Sequence, residues 1–157
     1  MSLPVQRLEI VTDTSKLKIK SKKVSKWAGE RLGMKLIKFI AWQNIECIGL
    51  AAGQLGINER VFVLFDNKEY AIFINPRIVE IGPMEDTQIE GCLSIPGRRF
   101  TVKRPTSITV KDAVRIRPFE LSGWTARAWL HELDHLNGRL ISDIGEEVTE
   151  ESIQKPL

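Results

Sequence analysis

The sequence has few of the features that mark specialised classes of protein. Its two cysteines, Cys47 and Cys92, cannot build the disulfide framework of a small secreted domain. Each is therefore expected to be a free thiol, a thiolate or a metal ligand. No apolar run is long enough to cross a bilayer, and the first residues lack the basic-then-apolar order of a secretory signal. We therefore expect a cytoplasmic protein with no membrane partner.

Length and charge both argue against a multidomain or nucleic-acid-binding protein. The 157 residues suffice for one domain with a hydrophobic core, and the net charge is only +3. Nucleic-acid binding would need a concentrated basic face, so no such partner is expected. We expect a single domain over residues 1–157, in which about 143–157 forms an acidic, loosely ordered tail.

Hydrophobic periodicity predicts helix, then strands, then helix, which is typical of an α+β domain. Apolar residues recur at three- and four-residue steps over 22–45, and a second helix is predicted from about Ser122 to Asn137. Ser122 can cap the start of this helix, and Gly138 suits the left-handed position beyond its end. Strands are predicted at 61–65 and 70–74, as a hairpin, and near 76–81, 98–103 and 107–112.

What the sequence does contain is HELDH, residues 131–135, which holds both of its histidines. His131 and His135 are four residues apart on the predicted helix, so their imidazoles lie on one face and can share an ion. Glu132 is offset by one residue and lies beside that ion, where a base for water activation belongs. The complete H-E-x-x-H pattern favours a metal site over two unrelated histidines.

The third metal ligand is less obvious. In one zinc-protease pattern it would be a histidine at the position of Ile141, which cannot bind a metal. A second class of protease takes a later glutamate, but those at 146–150 lie in a poorly patterned segment. The remaining candidate is a cysteine, and Cys92 is favoured over Cys47 because it lies in a turn-like stretch closed by Pro96–Gly97. One thiolate and two imidazoles leave a fourth position open, which is typical of catalytic sites.

Three motifs, IGLAAGQ (48–54), EGCLS (90–94) and HELDH (131–135), together resemble the motifs of peptide deformylases. The resemblance covers roughly residues 25–143, and three motifs at consistent spacing are far more specific than H-E-x-x-H alone. It implies an α+β domain with mainly antiparallel sheets around a central helix that carries HExxH. It also implies a hydrolase that removes the formyl group from the N-terminal formyl-methionine of nascent peptides and releases formate.

The resemblance also implies roles for single residues. Cys92, His131 and His135 would bind the metal, and Glu132 would be the general acid and base. The Gln54 side chain and the Leu93 backbone N–H would stabilise the oxyanion. Ile48 and Gly91 would offer backbone hydrogen bonds to the peptide, and the methionine pocket would be surrounded by Gly49, Glu90, Trp124 and Ala128. For Asp134 we expect an ion pair with an arginine such as Arg104, which would hold the helix in place.

The resemblance implies one divalent ion, with Fe²⁺ favoured and Zn²⁺, Ni²⁺ or Co²⁺ as substitutes. Bacterial members continue into a long C-terminal helix thought to help dock on the ribosome. This chain stops at Leu157 after an acidic stretch, so proximity to the ribosome remains open but docking by that route is not expected. Short forms of this kind resemble deformylases carried by phages. We expect a monomer.

The chain departs from the family pattern at Cys47, where the first motif usually begins with glycine, so a side chain would have to fit at the edge of the methionine pocket. Two other functions compete with deformylation. A metalloprotease that uses H-E-x-x-H would need a third histidine or glutamate ligand, which Ile141 argues against. A non-catalytic relative that sequesters peptides would not need the intact Glu132 and Gln54.

Overall fold

The computed structural model describes residues 4–149 and contains three antiparallel three-stranded sheets. None of the helices in this described range is long and apolar enough to cross a membrane. The helices are α1 (Thr14–Leu17), α2 (Lys26–Gln43), α3 (Gly123–Leu136) and α4 (Ile141–Ile144). The strands are β1 (Gly49–Ala51), β2 (Val61–Phe65), β3 (Tyr70–Ile74), β4 (Arg77–Ile81), β5 (Glu85–Cys92), β6 (Ile95–Pro105), β7 (Ser107–Lys111), β8 (Phe119–Ser122) and β9 (Glu146–Glu147).

Helix α2 covers one face of the sheet β1-β2-β3. The Ser25 side chain accepts a hydrogen bond from the Ala28 N–H and so caps the helix start. Leu36 and Phe39 are almost fully buried against Val61 and Val63 of β2. The predicted helix over 22–45 is confirmed, although it is shorter at both ends, because Ser25 caps its start and Asn44, with φ +52°, ends it.

Within residues 4–149, the strand predictions were correct for five of the nine strands, since the strand predicted near 98–103 lies inside β6; β1, β5, β8 and β9 were not predicted. The hairpin at 61–65 and 70–74 has the predicted limits, and strands occur at 77–81 and 107–111. Strand β5 was missed because nearly all its side chains are exposed, which leaves no hydrophobic alternation. The prediction of a turn-like stretch closed by Pro96–Gly97 was wrong in extent, because the turn contains only Leu93 and Ser94. Pro96 and Gly97 lie inside β6.

Helix α3 lies at the centre of the fold and packs against β1, β2, β7 and β8. Trp129 is fully buried, with its ring edge-on to Phe62 and Phe73. The helix start differs from the prediction, because Ser122 is the N-cap residue but its side chain makes no capping hydrogen bond. Its end agrees with the prediction, because Gly138 has φ +72°. Helix α3 thus holds a fixed position with its buried face in a rigid aromatic cluster.

The segment expected to form a loosely ordered tail begins with regular structure. The residue Asp143 belongs to α4 and pairs with Lys18 at 2.9 Å. Strand β9 pairs with β6, and Glu147 binds Arg98 through two hydrogen bonds. Residues 150–157 of that segment lie outside the described residues.

Two glycines allow the packing at the end of α3 to be tested. Gly138 and Gly56 both have positive φ, +72° and +78°. A Cβ at Gly138 would lie 2.9 Å from the Lys18 backbone, whereas one at Gly56 would meet nothing closer than 3.8 Å. We predict that Gly56→Ala lowers the free energy of unfolding by about 1–2 kcal/mol, the cost of the left-handed conformation. Gly138→Ala should cost roughly 1–3 kcal/mol more, because Lys18 must move. Urea unfolding would contradict this if both variants lost the same stability.

Candidate active site

The three predicted metal ligands come together in the structure. The ligand atoms of Cys92, His131 and His135 all lie within 4.8 Å of one another, with Cys92 Sγ 3.4 Å from His135 Nε2. They form the only such group of three or more possible ligands within residues 4–149. Cys92, and not Cys47, lies beside the two histidines in this group.

Two elements bring these ligands together. His131 and His135 lie one turn apart on α3, with ring centroids 5.1 Å from each other. Cys92 is the last residue of β5, where the pairing with β6 shifts register between Gly91 and Cys92. This irregularity occurs just before the two-residue turn at 93–94, where the strand stops and the thiol meets the helix.

The donor set fits a divalent transition-metal ion. One thiol and two imidazoles are ligands that Zn²⁺ and Fe²⁺ accept, and three protein ligands leave a coordination position open. Burial lowers the pKa of His135 well below its usual value, so its ring is neutral, as a ligand must be. Burial would also lower the pKa of His131, but hydrogen bonds with Cys92 and Glu90 outweigh it and raise the pKa to about 10. An ion that binds here must therefore displace a proton.

The Glu90 carboxylate orients His131. Its Oε1 lies 2.9 Å from His131 Nδ1, which leaves Nε2 of the ring to face the other ligands. Arg104 donates two hydrogen bonds to Glu90, at 2.6 and 2.9 Å, and Arg127 donates a third at 2.7 Å. Burial would raise the pKa of Glu90, but bonds from His131 and Arg104 lower it to about 2. The buried carboxylate is therefore ionised.

The same two arginines extend the network to two further acids. Arg104 Nη1 lies 2.8 Å from Asp134 Oδ2, so the expected pair between Asp134 and Arg104 is confirmed. Arg127 binds Asp86 at 2.7 Å and also donates to the Val102 carbonyl. No role could be assigned to Arg127 from the sequence, since its partners are 25 to 41 residues away along the chain.

Glu132 has the environment expected of a proton carrier. It is buried, and its Oε2 has no hydrogen-bond partner among the residues that the structure describes. Burial raises the pKa of Glu132 to about 7. A Cβ at Gly49 would lie 2.8 Å from Glu132 Oε1, so glycine is required there to leave room for the carboxylate. A buried carboxyl group with a pKa near neutrality can both accept and release a proton.

Gln54 is held beside the ligands by its own neighbours. Its Oε1 accepts a hydrogen bond from the Ala51 N–H at 3.0 Å, which directs Nε2 towards Cys92 Sγ at 3.6 Å. Nε2 also donates to Ser94 Oγ at 3.2 Å. Leu93 follows Cys92 in the turn, and Leu93 and Gln54 line one cleft, which is described below. Both donor groups named in the sequence analysis therefore lie next to the ligand group.

A cleft of about 810 Å³ leads to Glu132 and His131. Its lining residues include all the predicted substrate-binding residues, namely Ile48, Gly49, Glu90, Gly91, Trp124 and Ala128. Glu90 contributes little to the cleft surface, because it is buried and its oxygens face the arginines. Trp124 is 53% exposed and offers an apolar surface at the rim.

The unusual Cys47 is accommodated by Tyr70, the only tyrosine in the chain. The Tyr70 hydroxyl donates to the Cys47 carbonyl at 2.5 Å and lies 3.9 Å from its thiol. The next carbonyl, of Ile48, accepts a hydrogen bond from the Phe65 N–H. The carbonyls of Cys47 and Ile48 are therefore both engaged by the β2–β3 hairpin. The β2–β3 hairpin thus fixes this wall of the cleft.

Comparisons with known proteins agree with this geometry. The family description "Polypeptide deformylase" matches residues 7–150. The chain is 40% identical over 147 residues to a peptide deformylase of Natranaerobius thermophilus, a match that covers 88% of this chain and 92% of that relative.

Solved structures show the same fold. A peptide deformylase from Thermotoga maritima superposes with a TM-score of 0.79 at 34% identity, covering 87% of this chain and 96% of that one. A probable peptide deformylase from Synechococcus phage S-SSM7 gives a TM-score of 0.76 at 33% identity, covering 87% and 99%.

The role of Glu90 can be tested by Glu90→Gln. The amide keeps the shape of the side chain but loses the charge that binds two arginines and His131. We predict that affinity for Zn²⁺ or Co²⁺, measured by competition with a chelator, falls about 10- to 100-fold. Glu147→Gln is the control, since it removes an exposed pair with Arg98. Equal affinities in the two variants would show that Glu90 does not support the ligand.

Proposed function

The chain belongs to the peptide deformylase family, and we propose that it removes the formyl group from the N-terminal formyl-methionine of nascent peptides and releases formate. One observation carries this proposal: the ligand atoms of Cys92, His131 and His135 converge beside the unpaired carboxylate oxygen of Glu132. The cleft that reaches this point has room for an extended peptide. The proposal assigns the enzyme to the cytoplasm, where nascent chains are made.

Cys92, His131 and His135 would hold one divalent ion. When bound, the ion would supply Lewis-acid chemistry that acidifies water and polarises the formyl carbonyl. Glu132 would accept a proton from the attacking water and then donate it to the departing amine of methionine. Its burial, and the lack of a hydrogen-bond partner for Oε2 among the described residues, keep that oxygen available for these transfers.

Attack on the formyl carbon creates a negatively charged oxygen, which needs donors already in place. We assign this task to Gln54 Nε2 and to the backbone N–H of Leu93. A neutral amide suits it, because it donates without titrating near neutral pH. The bond from Ala51 to Gln54 Oε1 supports the assignment, since it sets which end of the amide faces the ligands. Loss of one such donor typically lowers the rate about 100- to 1000-fold.

The walls of the cleft would orient the peptide. The N–H of Ile48 and the backbone of Gly91 would pair with it as with a further strand. The methionine side chain would contact Gly49, Trp124 and Ala128. One chain supplies the complete ligand set, so we propose that the monomer is the active form.

The metalloprotease alternative has little support within residues 4–149. Ile141 is buried in the core with Leu140 and Val102, away from any ligand role. Glu147 is exposed and bound to Arg98. Cleavage of a peptide bond in an unformylated substrate would revive this alternative, whereas peptide binding without turnover would indicate a sequestering protein.

The catalytic proposal is tested by Glu132→Gln. The amide cannot accept a proton, so we expect formate release from a formyl-methionyl peptide to fall at least 100-fold, the usual contribution of a general base. Metal content should stay at one ion per chain, since Glu132 is not a ligand. Glu120→Gln, an exposed position on β8, serves as the control. Full turnover in Glu132→Gln would remove Glu132 from the mechanism.

The identity of the ion is a separate proposal. The donor set accepts several divalent metals, and the family resemblance favours Fe²⁺ over Zn²⁺, Ni²⁺ or Co²⁺. Protein purified without oxygen should then contain iron and lose activity in air, because the coordinated thiolate and Fe²⁺ are open to oxidation. Metal analysis before and after exposure provides the measurement. Zinc or nickel in an air-stable enzyme would contradict the assignment.

A further inference from the structure

A second cleft, of about 510 Å³, lies apart from the candidate active site. It is lined by Lys20, Ser21 and Lys23, by residues 60 and 75–77 at the end of the β2–β3 hairpin, by the 111–113 segment and by Asn137 beyond α3. None of its lining residues lines the active-site cleft. Its basic lining residues are Lys20, Lys23, Arg60, Arg77 and Lys111.

These five cations have no carboxylate to balance them. Within residues 4–149, none of them forms an ion pair. The single acidic lining residue, Asp112, already pairs with Arg115 at 2.9 Å and accepts a hydrogen bond from the Ile74 N–H. The cleft therefore concentrates positive charge in a protein whose net charge is only +3.

Arg60 forms part of this charge from a half-buried position. Its guanidinium donates to the Leu136 carbonyl and to Asn137 Oδ1, each at 3.0 Å, and to the Ser21 carbonyl at 3.5 Å. The Leu136 bond caps the end of α3, which explains why the side chain lies there. These partners are all neutral, and burial lowers the pKa of Arg60. They fix the guanidinium in place without cancelling its charge.

An unpaired hydroxyl lies among these cations. Ser21 lines the cleft, is only 4% exposed, and its Oγ has no hydrogen-bond partner within residues 4–149. A buried hydroxyl without a partner destabilises a protein, so such groups are rare without a bound water or ligand. A hydroxyl can donate to an anionic oxygen, and five neighbouring cations favour an anion at the same place. Charge and hydroxyl thus indicate the same class of ligand independently.

We propose that this basic cleft binds a ligand that carries two or more phosphate groups. A single phosphate has too little charge to balance five cations, and the volume exceeds what one phosphate needs. The lining contains no aromatic residue on which a base could stack, so recognition acts through the phosphates. The phosphates can come from a free nucleotide or from an RNA backbone, which share this chemistry.

The test uses ¹⁵N-labelled, metal-loaded protein and NMR titrations. The probes are adenosine 3′,5′-bisphosphate, inorganic phosphate and a 12-nucleotide single-stranded RNA, with metal content checked after each titration. We expect the amides of Lys20, Ser21, Lys23 and Arg77 to shift with the bisphosphate at concentrations where inorganic phosphate has little effect. Tighter binding of RNA, with a log–log salt slope of about −0.7 per neutralised phosphate, would identify a backbone as the source. Equal or weaker binding of RNA would identify the free nucleotide.

Two double variants distinguish binding at a specific site from general electrostatic attraction to a positively charged protein. Lys23→Gln with Arg77→Gln should weaken bisphosphate binding roughly tenfold or more, since two charged contacts are lost. Lys38→Gln with Lys68→Gln changes the net charge equally at residues that do not line the cleft, and should alter affinity less than about twofold. Both double variants should release formate like the parent protein.

Ser21→Ala provides a second measurement, since it removes the unpaired hydroxyl. Without ligand its thermal midpoint should be unchanged or raised, whereas bisphosphate binding should weaken several-fold. The proposal is overturned if the cleft amides do not shift at millimolar bisphosphate. It is overturned equally if both double variants lose the same affinity, or if Ser21→Ala binds like the parent.

Discussion

The buried carboxylate of Glu90 is the interaction on which the metal site depends. A carboxylate taken out of water is costly unless opposite charges and hydrogen bonds compensate it. Here Arg104 and Arg127 both reach it, and its remaining capacity orients His131. Glu90 lies on β5, Arg104 on β6, and Arg127 and His131 on α3. One carboxylate therefore joins the strand that carries Cys92 to the helix that carries both histidines, and sets their relative position.

Local sequence patterns were sufficient to predict those parts of the site that lie within a single helix or hairpin. His131 and His135 share a face because a helix repeats every 3.6 residues, and Gly138 ends that helix because it tolerates positive φ. The β2–β3 hairpin followed from two β-type runs around a polar turn. The pair between Asp134 and Arg104 could be anticipated because a carboxylate beside a metal-binding histidine needs a partner.

Other features depend on contacts that no local pattern records. Strand β5 consists largely of exposed polar residues and is a strand only because it pairs along its length with β6. Arg127 meets partners 25 to 41 residues away, so its role appears only after the chain has folded. The Cys47 carbonyl is held by Tyr70, 23 residues further on. Each of these arrangements is decided by tertiary pairing, which overrides the local preference.

Charge is unevenly distributed over the folded chain. Two arginines and three acids, Glu90, Asp134 and Asp86, form one network around His131, where acids outnumber arginines. The opposite excess of positive charge lies where Lys20, Lys23, Arg60, Arg77 and Lys111 meet. A net charge of +3 is the sum over both regions and describes neither of them. Composition alone therefore argues against an anionic partner. Attraction for an anion, however, depends on local rather than total charge. The folded chain supplies that local charge, because it brings basic residues from separate segments into one cleft.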